Sequence, residues 1–423
     1  MTDLLQSKDR PQRDVQRSSA LTADAKPVRS RIALYGLRSL SRCFSGLGYI
    51  LAVVILMAVF LELASWAIWS IHPVTKEAKT WNQAASPVYA GATWAREFWQ
   101  EESSRQNKPT VYVPFRIWSV TGWHSKYINN DEGVRGFWRR TINSANCAFP
   151  HRVSVWTFGG STMYGTAVRD WGTIPSYLSR DLNAAPGDCV VVSNFGVEGY
   201  VTDQELILLA EQLKAGGHPN IVIFYDGIND SCLAWPPASP PNAHFYLGTI
   251  KSRVEGSLSG RLDFLQKSYS VRLARRGLAH LRRAHSFSSS VSKAQPNVMT
   301  TLANYEANMQ LARSLADAYK FKLYCFWQPM LIYGHKPLVP FEQQMVTRDA
   351  SGTSADSAWF LTTAAVYREA ERHAASNRNF VFLGGLFDST TDPIYVDEAH
   401  LGPRGNELAA QAIASYIRDH PDR

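Results

Sequence analysis

Residues 153–161 read VSVWTFGGS, a short apolar run that ends in two glycines and a serine. Short apolar runs bounded by turn residues are typical of buried β-strands. We therefore predict a strand over 153–158. Two glycines directly after a strand permit a sharp turn, because glycine adopts backbone conformations that other residues avoid. Such a turn would present the hydroxyl of Ser161 at the edge of a sheet.

Strands and helices alternate from about residue 151 to the end of the chain. Further strands are predicted at 190–194, 221–225, 322–327 and 381–383, and helices at 171–182, 203–215, 302–318, 358–376 and 405–419. Strands separated by helices indicate βαβ units and a parallel sheet. An irregular insertion at 231–300 interrupts the alternation and opens with the Pro-rich stretch AWPPASPPNAH.

Polar and glycine-rich segments follow four of these strands. Ligands of open parallel sheets bind at the carboxyl ends of the strands, so these segments are the candidate site. They read GGST at 159–162, NFGVEG at 194–199, DGIND at 226–230 and VDEAHL at 396–401.

Taken in this order, the four segments resemble the four sequence blocks of the SGNH (GDSL-type) hydrolases, over roughly 150–420. Each fragment alone is a weak signal, and their order at successive strand ends carries the resemblance. It implies a flavodoxin-like three-layer α/β sandwich with a parallel sheet. It also implies that Ser161 is the nucleophile and that Asp397 and His400 are its catalytic partners.

The same resemblance aligns Gly199 with the glycine of the second block and Asn229 with the asparagine of the third. With the amide of Ser161, they would supply the oxyanion-hole donors that acyl transfer requires. The chain departs from the family at Gly160, which stands where the family commonly has the aspartate of Gly-Asp-Ser. That aspartate usually helps to brace the loop, so the departure puts the bracing in doubt but not the reaction.

The chemistry of these residue types supports the same roles. A serine hydroxyl is a weak nucleophile until a neighbouring base takes its proton, and His400 is the candidate base. Asp397 lies three residues earlier and can fix the imidazole tautomer and stabilise the imidazolium.

Structural alternatives exist for several of these residues. Ser161 or His400 could act only at the start of a helix, and Asn229 could only cap a turn. Gly196 could replace Gly199 as the oxyanion donor, although the spacing from Asn194 favours Gly199.

The N-terminal part of the chain predicts a membrane anchor. Residues 47–71 read LGYILAVVILMAVFLELASWAIWSI, with Glu62 as the only charged residue. About 20 apolar residues span the hydrocarbon core of a bilayer. A cleaved signal peptide is the alternative, but its apolar core would be unusually long.

Charge predicts the orientation of this helix. The first 43 residues contain nine Lys and Arg against four Asp, which accounts for +5 of the formal net charge of +8. Positive residues stay on the cytoplasmic side, so the C-terminal bulk is expected outside the cytoplasm, in the periplasm if the membrane is a bacterial inner membrane. With the excess confined to a tail, a nucleic-acid partner is not expected.

We divide the chain into four parts. They are a disordered basic cytoplasmic tail at 1–43, a transmembrane helix at 44–72, an aromatic-rich juxtamembrane subdomain at 73–150, and the hydrolase-like domain at 151–423. The five cysteines form no metal-binding pattern, and neither a metal nor a cofactor is expected. Cys147 and Cys189 each precede a predicted strand and are candidates for a disulfide.

These features predict a membrane-anchored serine esterase or O-acyltransferase acting on acyl esters, with acetyl esters of carbohydrate as the leading substrate. Membrane-tethered proteins that resemble this chain are often associated with surface polysaccharide modification, so membrane-bound polysaccharide synthesis proteins are expected partners. The alternatives are a lipase or thioesterase with a lipid-linked substrate and a non-catalytic glycan-binding or assembly subunit.

Overall fold

The structure is a computed structural model of the chain. It describes residues 28–71, 83–108, 110–143, 152–185, 187–235, 240, 242–256, 265, 268–275, 297–350, 355–377 and 380–421.

The strands in these ranges form three sheets. They are β1 (Val111–Val113), β2 (Ile117–Ser119), β3 (Trp123–His124), β4 (Asn129–Gly133), β5 (Gly136–Arg139), β6 (Val153–Gly159), β7 (Val190–Asn194), β8 (Ile221–Asp226), β9 (Lys322–Trp327) and β10 (Val381–Phe382). The α-helices are α1 (Val28–Ile71), α2 (Ala95–Gln106), α3 (Ser161–Tyr164), α4 (Ile174–Leu182), α5 (Thr202–Lys214), α6 (Ile228–Leu233), α7 (Leu247–Val254), α8 (Val298–Tyr319), α9 (Pro340–Ala350), α10 (Ala355–Asn377) and α11 (Pro403–Asp419).

Helix α1 contains an apolar stretch of 23 residues, Gly46–Ile68, with a mean hydropathy of 2.5. At a rise of 1.5 Å per residue this stretch is about 35 Å long, enough to cross a hydrocarbon core of about 30 Å. It is therefore a candidate membrane span. The helix begins at Val28, inside the segment predicted as a disordered tail. Extending an existing helix costs far less than nucleating one, which explains the additional turns.

The central sheet has five parallel strands in the order β10-β9-β8-β6-β7. Numbered within this sheet alone, the order is 2-1-3-4-5, the flavodoxin-like order. The predicted fold class is thus confirmed. In such a sheet the strand order reverses between the first and third strands, here β6 and β8. Ligands bind at the carboxyl ends of these two strands.

Helices cover both faces of the sheet, as the alternation of side chains along its strands requires. On β8, Val222 and Phe224 join one buried cluster, with Leu208 of α5. The intervening Ile223 joins the other cluster, with Ile413 of α11. The domain is therefore a three-layer sandwich.

The described part of the aromatic-rich region before the sheet contains both helix and strand. It contains α2 and two small antiparallel sheets, β1-β2 and β3-β4-β5. Its aromatic residues mostly build a core of their own, in which Phe98 and Trp99 are buried. A buried ion pair of 2.7 Å joins Arg139 of β5 to Asp170, and both side chains are at most 2% exposed. The segments predicted as separate subdomains at 73–150 and 151–423 therefore pack against each other.

The insertion predicted to be irregular contains helix α7 in its described part. Its middle part, residues 261–283, contains seven Lys and Arg residues, of which Arg272 and Arg275 are described and the others lie outside the described residues. The sequence pattern allows either a contact with anionic headgroups or glycans, or a solvated helix face.

Three carboxyl groups are buried beneath the end of β8. Glu205 and Asp226 are 1% and 3% exposed, and neither has a hydrogen-bond donor among the described side chains. Burial raises the pKa of both groups, that of Asp226 to about 8, and we expect a protonated Glu205 to share its proton with Asp226. Burial also raises the pKa of Asp230 to about 6.

This cluster predicts how stability depends on pH. A carboxyl whose pKa is higher in the folded state stabilises the fold fully at low pH, and this contribution is lost as pH rises from about 4 through the folded-state pKa. Glu205→Gln retains a donor towards Asp226 at every pH. We therefore expect its melting temperature to fall less than that of the wild type between pH 6 and 9, by about 2–4 °C, as measured by calorimetry. Glu255→Gln removes an exposed carboxylate and should follow the wild-type curve. Parallel curves for Glu205→Gln and the wild type would contradict proton sharing.

Candidate active site

Ser161 lies two residues beyond the end of β6 and is the first residue of α3. Gly160, just before it, approaches the side chain of Asn229 very closely. A Cβ placed on Gly160 would lie 2.2 Å from Asn229 Nδ2, a separation that real Cβ atoms do not show. Glycine is therefore required at this position if Asn229 is to keep its place.

Two side chains from other strand ends brace the turn after Ser161. Asn194, the last residue of β7, donates from Nδ2 to the carbonyl of Met163 at 3.0 Å. Gln328, which follows β9 and is buried, donates from Nε2 to Thr162 Oγ1 at 3.2 Å. The turn is thus supported without the aspartate that the SGNH pattern commonly has.

Ser161, His400 and Asp397 form a continuous hydrogen-bonded chain. Ser161 Oγ lies 2.7 Å from His400 Nε2, and His400 Nδ1 lies 2.7 Å from Asp397 Oδ2. Asp397 Oδ1 also accepts the backbone N–H groups of Ala399 and His400, at 3.0 and 2.8 Å. Because a carboxylate only accepts, Nδ1 carries the imidazole proton and Nε2 is left to accept the serine hydroxyl.

The electrostatics of this chain favour an ionised Asp397. Loss of hydration opposes ionisation, but the charge and hydrogen bonds of His400 hold the pKa of Asp397 well below its usual range. For His400, loss of hydration lowers the pKa, but the Asp397 carboxylate outweighs it and the net shift is upward. Both side chains keep contact with solvent, with exposed fractions of 22% for His400 and 43% for Asp397.

The raised pKa of His400 makes a prediction for the pH–rate profile. Only neutral imidazole can accept the serine proton, so kcat/KM should fall as pH drops through this pKa. Asp397→Asn removes the carboxylate that raises it. We expect the acid limb to move to lower pH and the plateau to fall by about 10⁴-fold, as the loss of the orienting carboxylate does in comparable triads. Hydrolysis of glyceryl triacetate between pH 4 and 9 measures both effects.

Asp392→Asn is the matched control for this profile, since Asp392 is exposed and pairs only loosely with Arg404, at 3.4 Å. Its profile should coincide with that of the wild type. An acid limb that stays in place in Asp397→Asn would show that another group than His400 controls it.

Gly199 takes a backbone conformation with φ +77°, in the left-handed region that favours glycine. In the part of the chain that the structure describes, neither its N–H nor that of Ser161 donates to a protein acceptor. The alternative donor, Gly196, is already engaged, because its N–H donates to Asn194 Oδ1 at 2.9 Å. The geometry therefore favours Gly199 over Gly196.

Asn229 lies near the start of α6, just after β8. Its Nδ2 donates to the carbonyl of Tyr200 at 2.7 Å, which fixes the amide and leaves its second hydrogen available. The neighbouring Asp230 faces away from this group and accepts the hydroxyl of Thr202 at 2.7 Å. The structure thus places the three predicted oxyanion donors at the start of α3, in the β7–α5 loop and on α6.

Sequence reasoning missed one pair of residues at this site. Arg105 of α2 makes two hydrogen bonds to the carboxylate of Glu198, at 2.8 and 2.9 Å. Loss of hydration would raise the pKa of Glu198, but the charge of Arg105 lowers it. Thr166 Oγ1 also donates to Glu198, at 2.8 Å. Glu198 adjoins Gly199, so this pair ties α2 to the β7–α5 loop that carries Gly199.

Cys189 is disulfide-bonded, while Cys232 and Cys325 are not. The predicted partner of Cys189, Cys147, lies outside the described residues. Cys232 does not take part in the hydrogen-bonded chain of the site, and burial raises the pKa of its thiol to about 12. The described residues contain no group of three or more side chains arranged to hold a metal ion.

The sheet order and the placement of the site together agree with the arrangement that the resemblance to SGNH hydrolases predicts. A serine at the end of the first strand, an asparagine after the third and a histidine before the last helix converge on one edge. This arrangement can support acyl transfer through a serine, either to water or to another hydroxyl.

No protein-family model matches the sequence, and no curated protein matches it. Solved structures of similar fold include a proposed arylesterase from Agrobacterium tumefaciens, with 15% identity and a TM-score of 0.35, covering 63% of this chain and 99% of that one. A lipolytic G-D-S-L family protein from Veillonella parvula has 11% identity and a TM-score of 0.32, covering 63% and 98%. A variant of an acetyl-xylooligosaccharide esterase from Geobacillus has 15% identity and a TM-score of 0.33, covering 63% and 93%.

Proposed function

We propose that the protein is a membrane-anchored, extracytoplasmic serine esterase or O-acyltransferase that acts on acetyl esters of carbohydrate. The observation that carries the catalytic part is the chain of two 2.7 Å contacts from Ser161 through His400 to Asp397. A hydroxyl, an imidazole and a carboxylate in this order are the groups that nucleophilic acyl transfer uses.

In the first half-reaction, Ser161 Oγ attacks the ester carbonyl while its proton passes to His400 Nε2. Asp397 stabilises the imidazolium, and the oxyanion accepts hydrogen bonds from Ser161, Gly199 and Asn229. His400 then returns the proton to the departing sugar oxygen, and the acyl group stays on Ser161.

In the second half-reaction, His400 takes a proton from water or from a sugar hydroxyl, and the acceptor oxygen attacks the acyl carbon. The Ser161–acyl bond breaks and His400 protonates Ser161 Oγ. Water releases the free acid, which makes the protein an esterase. A sugar hydroxyl gives a new ester, which makes it an acyltransferase.

An open site supports a carbohydrate substrate. Asp397 and His400 both reach solvent, as a site must when it serves a hydroxyl on a bulky glycan. The substrate is tested with the full-length chain in detergent micelles, with glyceryl triacetate, O-acetylated xylo-oligosaccharides and long-chain acyl esters as substrates. Ser161-dependent preference for the acetylated sugars is expected. Preference for long chains would favour a lipase or thioesterase, and the absence of Ser161-dependent turnover and fluorophosphonate labelling would favour a glycan-binding subunit.

The proposed topology rests on charge and on cysteine chemistry. The basic tail precedes Gly46–Ile68, and the disulfide at Cys189 is of a kind that persists in oxidising compartments. A reporter enzyme that is active only outside the cytoplasm should be active when it is fused after Arg423. Activity of a cytoplasmic reporter at the same position would overturn the topology.

A further inference from the structure

Aromatic side chains of the insertion lie beside the β7–α5 loop, which carries Gly199. A Cβ placed on Gly199 would be 3.5 Å from the rings of both Phe245 and Trp118. Phe245 is 50% exposed and its neighbour Tyr246 is 44% exposed. Two large rings thus stay in contact with water beside the atoms where an acyl group would react. We call Phe245 and Tyr246, with the buried Trp118 beneath them, the aromatic shelf.

Hydrogen bonds and ring contacts hold the aromatic shelf against the β7–α5 loop. Trp118 Nε1 donates to the carbonyl of Glu198 at 3.0 Å. The ring of Trp118 also makes an edge contact with Tyr246, with centroids 5.1 Å apart. The N–H of Tyr246 donates to His244 Nδ1 at 3.2 Å, which sets the turn that presents Phe245.

The base of the aromatic shelf is tied to the same loop from a second direction. Tyr200, the residue after Gly199, packs edge-on against Trp118 with centroids 5.4 Å apart, and its hydroxyl donates to the carbonyl of Trp118. Arg116 donates to that hydroxyl at 2.7 Å. A ring stacked on the shelf would therefore have a fixed position relative to Ser161.

We propose that the aromatic shelf is a binding subsite for the pyranose ring that carries the scissile or newly formed ester. The proposal rests on the proposed function and names how its substrate is held. Exposed aromatic rings supply flat apolar area at low entropic cost, and the C–H face of a pyranose matches such a surface. The polar edges, the Tyr246 hydroxyl and the His244 imidazole, suit a sugar better than an acyl chain, which calls for a closed apolar tunnel.

The test compares two acetyl esters with the full-length chain in detergent micelles, an O-acetylated xylo-oligosaccharide and glyceryl triacetate, which has no ring. The readout is the ratio of kcat/KM for the sugar ester to that for triacetin. Phe245→Ala and Tyr246→Ala are each expected to lower this ratio about tenfold, through a higher KM for the sugar ester. Phe245→Trp, which keeps a flat ring, should restore most of the ratio and guards against misfolding of the alanine variant.

Tyr319→Ala is the matched control. Tyr319 is 41% exposed and ends α8 just before β9, so it lies at the amino edge of the sheet, opposite the site. It should leave the ratio unchanged. An unchanged ratio in both shelf variants, or an equal loss of kcat/KM on the two esters, would overturn the proposed subsite. In either case, Ser161-dependent turnover of triacetin by the wild type would still support the proposed enzyme activity. Absence of that turnover in the wild type would instead count against the proposed function.

Discussion

Ser161→Ala is expected to lower kcat for triacetin hydrolysis by about 10⁴- to 10⁶-fold. The hydroxyl is the only group of the hydrogen-bonded chain that can form the acyl intermediate, so no neighbouring side chain can replace it. The variant should keep its melting temperature, because Ser161 Oγ contributes one partly exposed hydrogen bond, to His400. Fluorophosphonate labelling should disappear with the activity.

The relation between Ser161 and His400 makes this prediction stricter. If both act in one proton transfer, Ser161→Ala/His400→Ala should be no slower than either single variant, because residues that act as a unit are not additive. Ser314→Ala, an exposed hydroxyl in α8 that bonds only to its own helix, is the matched control and should retain full activity. Multiplying losses in the double variant would show that the two residues act in separate steps.

Asn229→Ala is expected to lower kcat by about 10²- to 10³-fold with little change in KM, which corresponds to roughly 2.7–4 kcal/mol of barrier. The amide would hydrogen-bond the oxyanion, which exists only beyond the ground state, so substrate binding should be nearly unaffected. Stopped assays of triacetin hydrolysis over a range of concentrations separate kcat from KM. A rise in KM alone would remove Asn229 from the oxyanion hole.

Gly160→Ala should reproduce much of this loss although residue 160 has no side chain in the wild type. The added Cβ would lie only 2.2 Å from Asn229 Nδ2 and would therefore displace the amide. In Gly160→Ala/Asn229→Ala the obstructed amide is already gone, so we expect this double variant to match Asn229→Ala. A further loss in the double variant would mean that Gly160 matters for another reason.

The sequence pattern was sufficient to predict the parallel sheet and the candidate site residues at the carboxyl ends of its strands. Parallel strands place their carboxyl ends together whatever their order, so Ser161, Asn229 and His400 could be brought to one edge from the strand pattern alone. Element bounds were predicted closely where an apolar period was strong, as in β9, and less well for α8, which begins at Val298. The catalytic roles of these residues stay predictions until the variants above are measured.

The parts that the sequence did not predict depend on contacts between distant segments. Nothing in the pattern around Arg105 indicates that its guanidinium meets Glu198, 93 residues later. Similarly, the placement of Phe245 beside Gly199 follows from how the insertion folds back over the loop, which no local period encodes. The choice between Gly199 and Gly196 was open for the same reason, since it depends on which N–H the side chain of Asn194 already binds.

Ion pairs between residues before and after position 150 limit how far the chain can be shortened from its N-terminal side. A fragment starting at 151 would keep Asp170 and Glu198 but lose Arg139 and Arg105, their guanidinium partners. For a fully buried pair such as Arg139–Asp170, removing one partner typically costs about 3–5 kcal/mol, a large part of the stability of an ordinary domain. A shortened form without the candidate span Gly46–Ile68 should therefore start before residue 83, even though every residue of the proposed catalytic chain lies after 160.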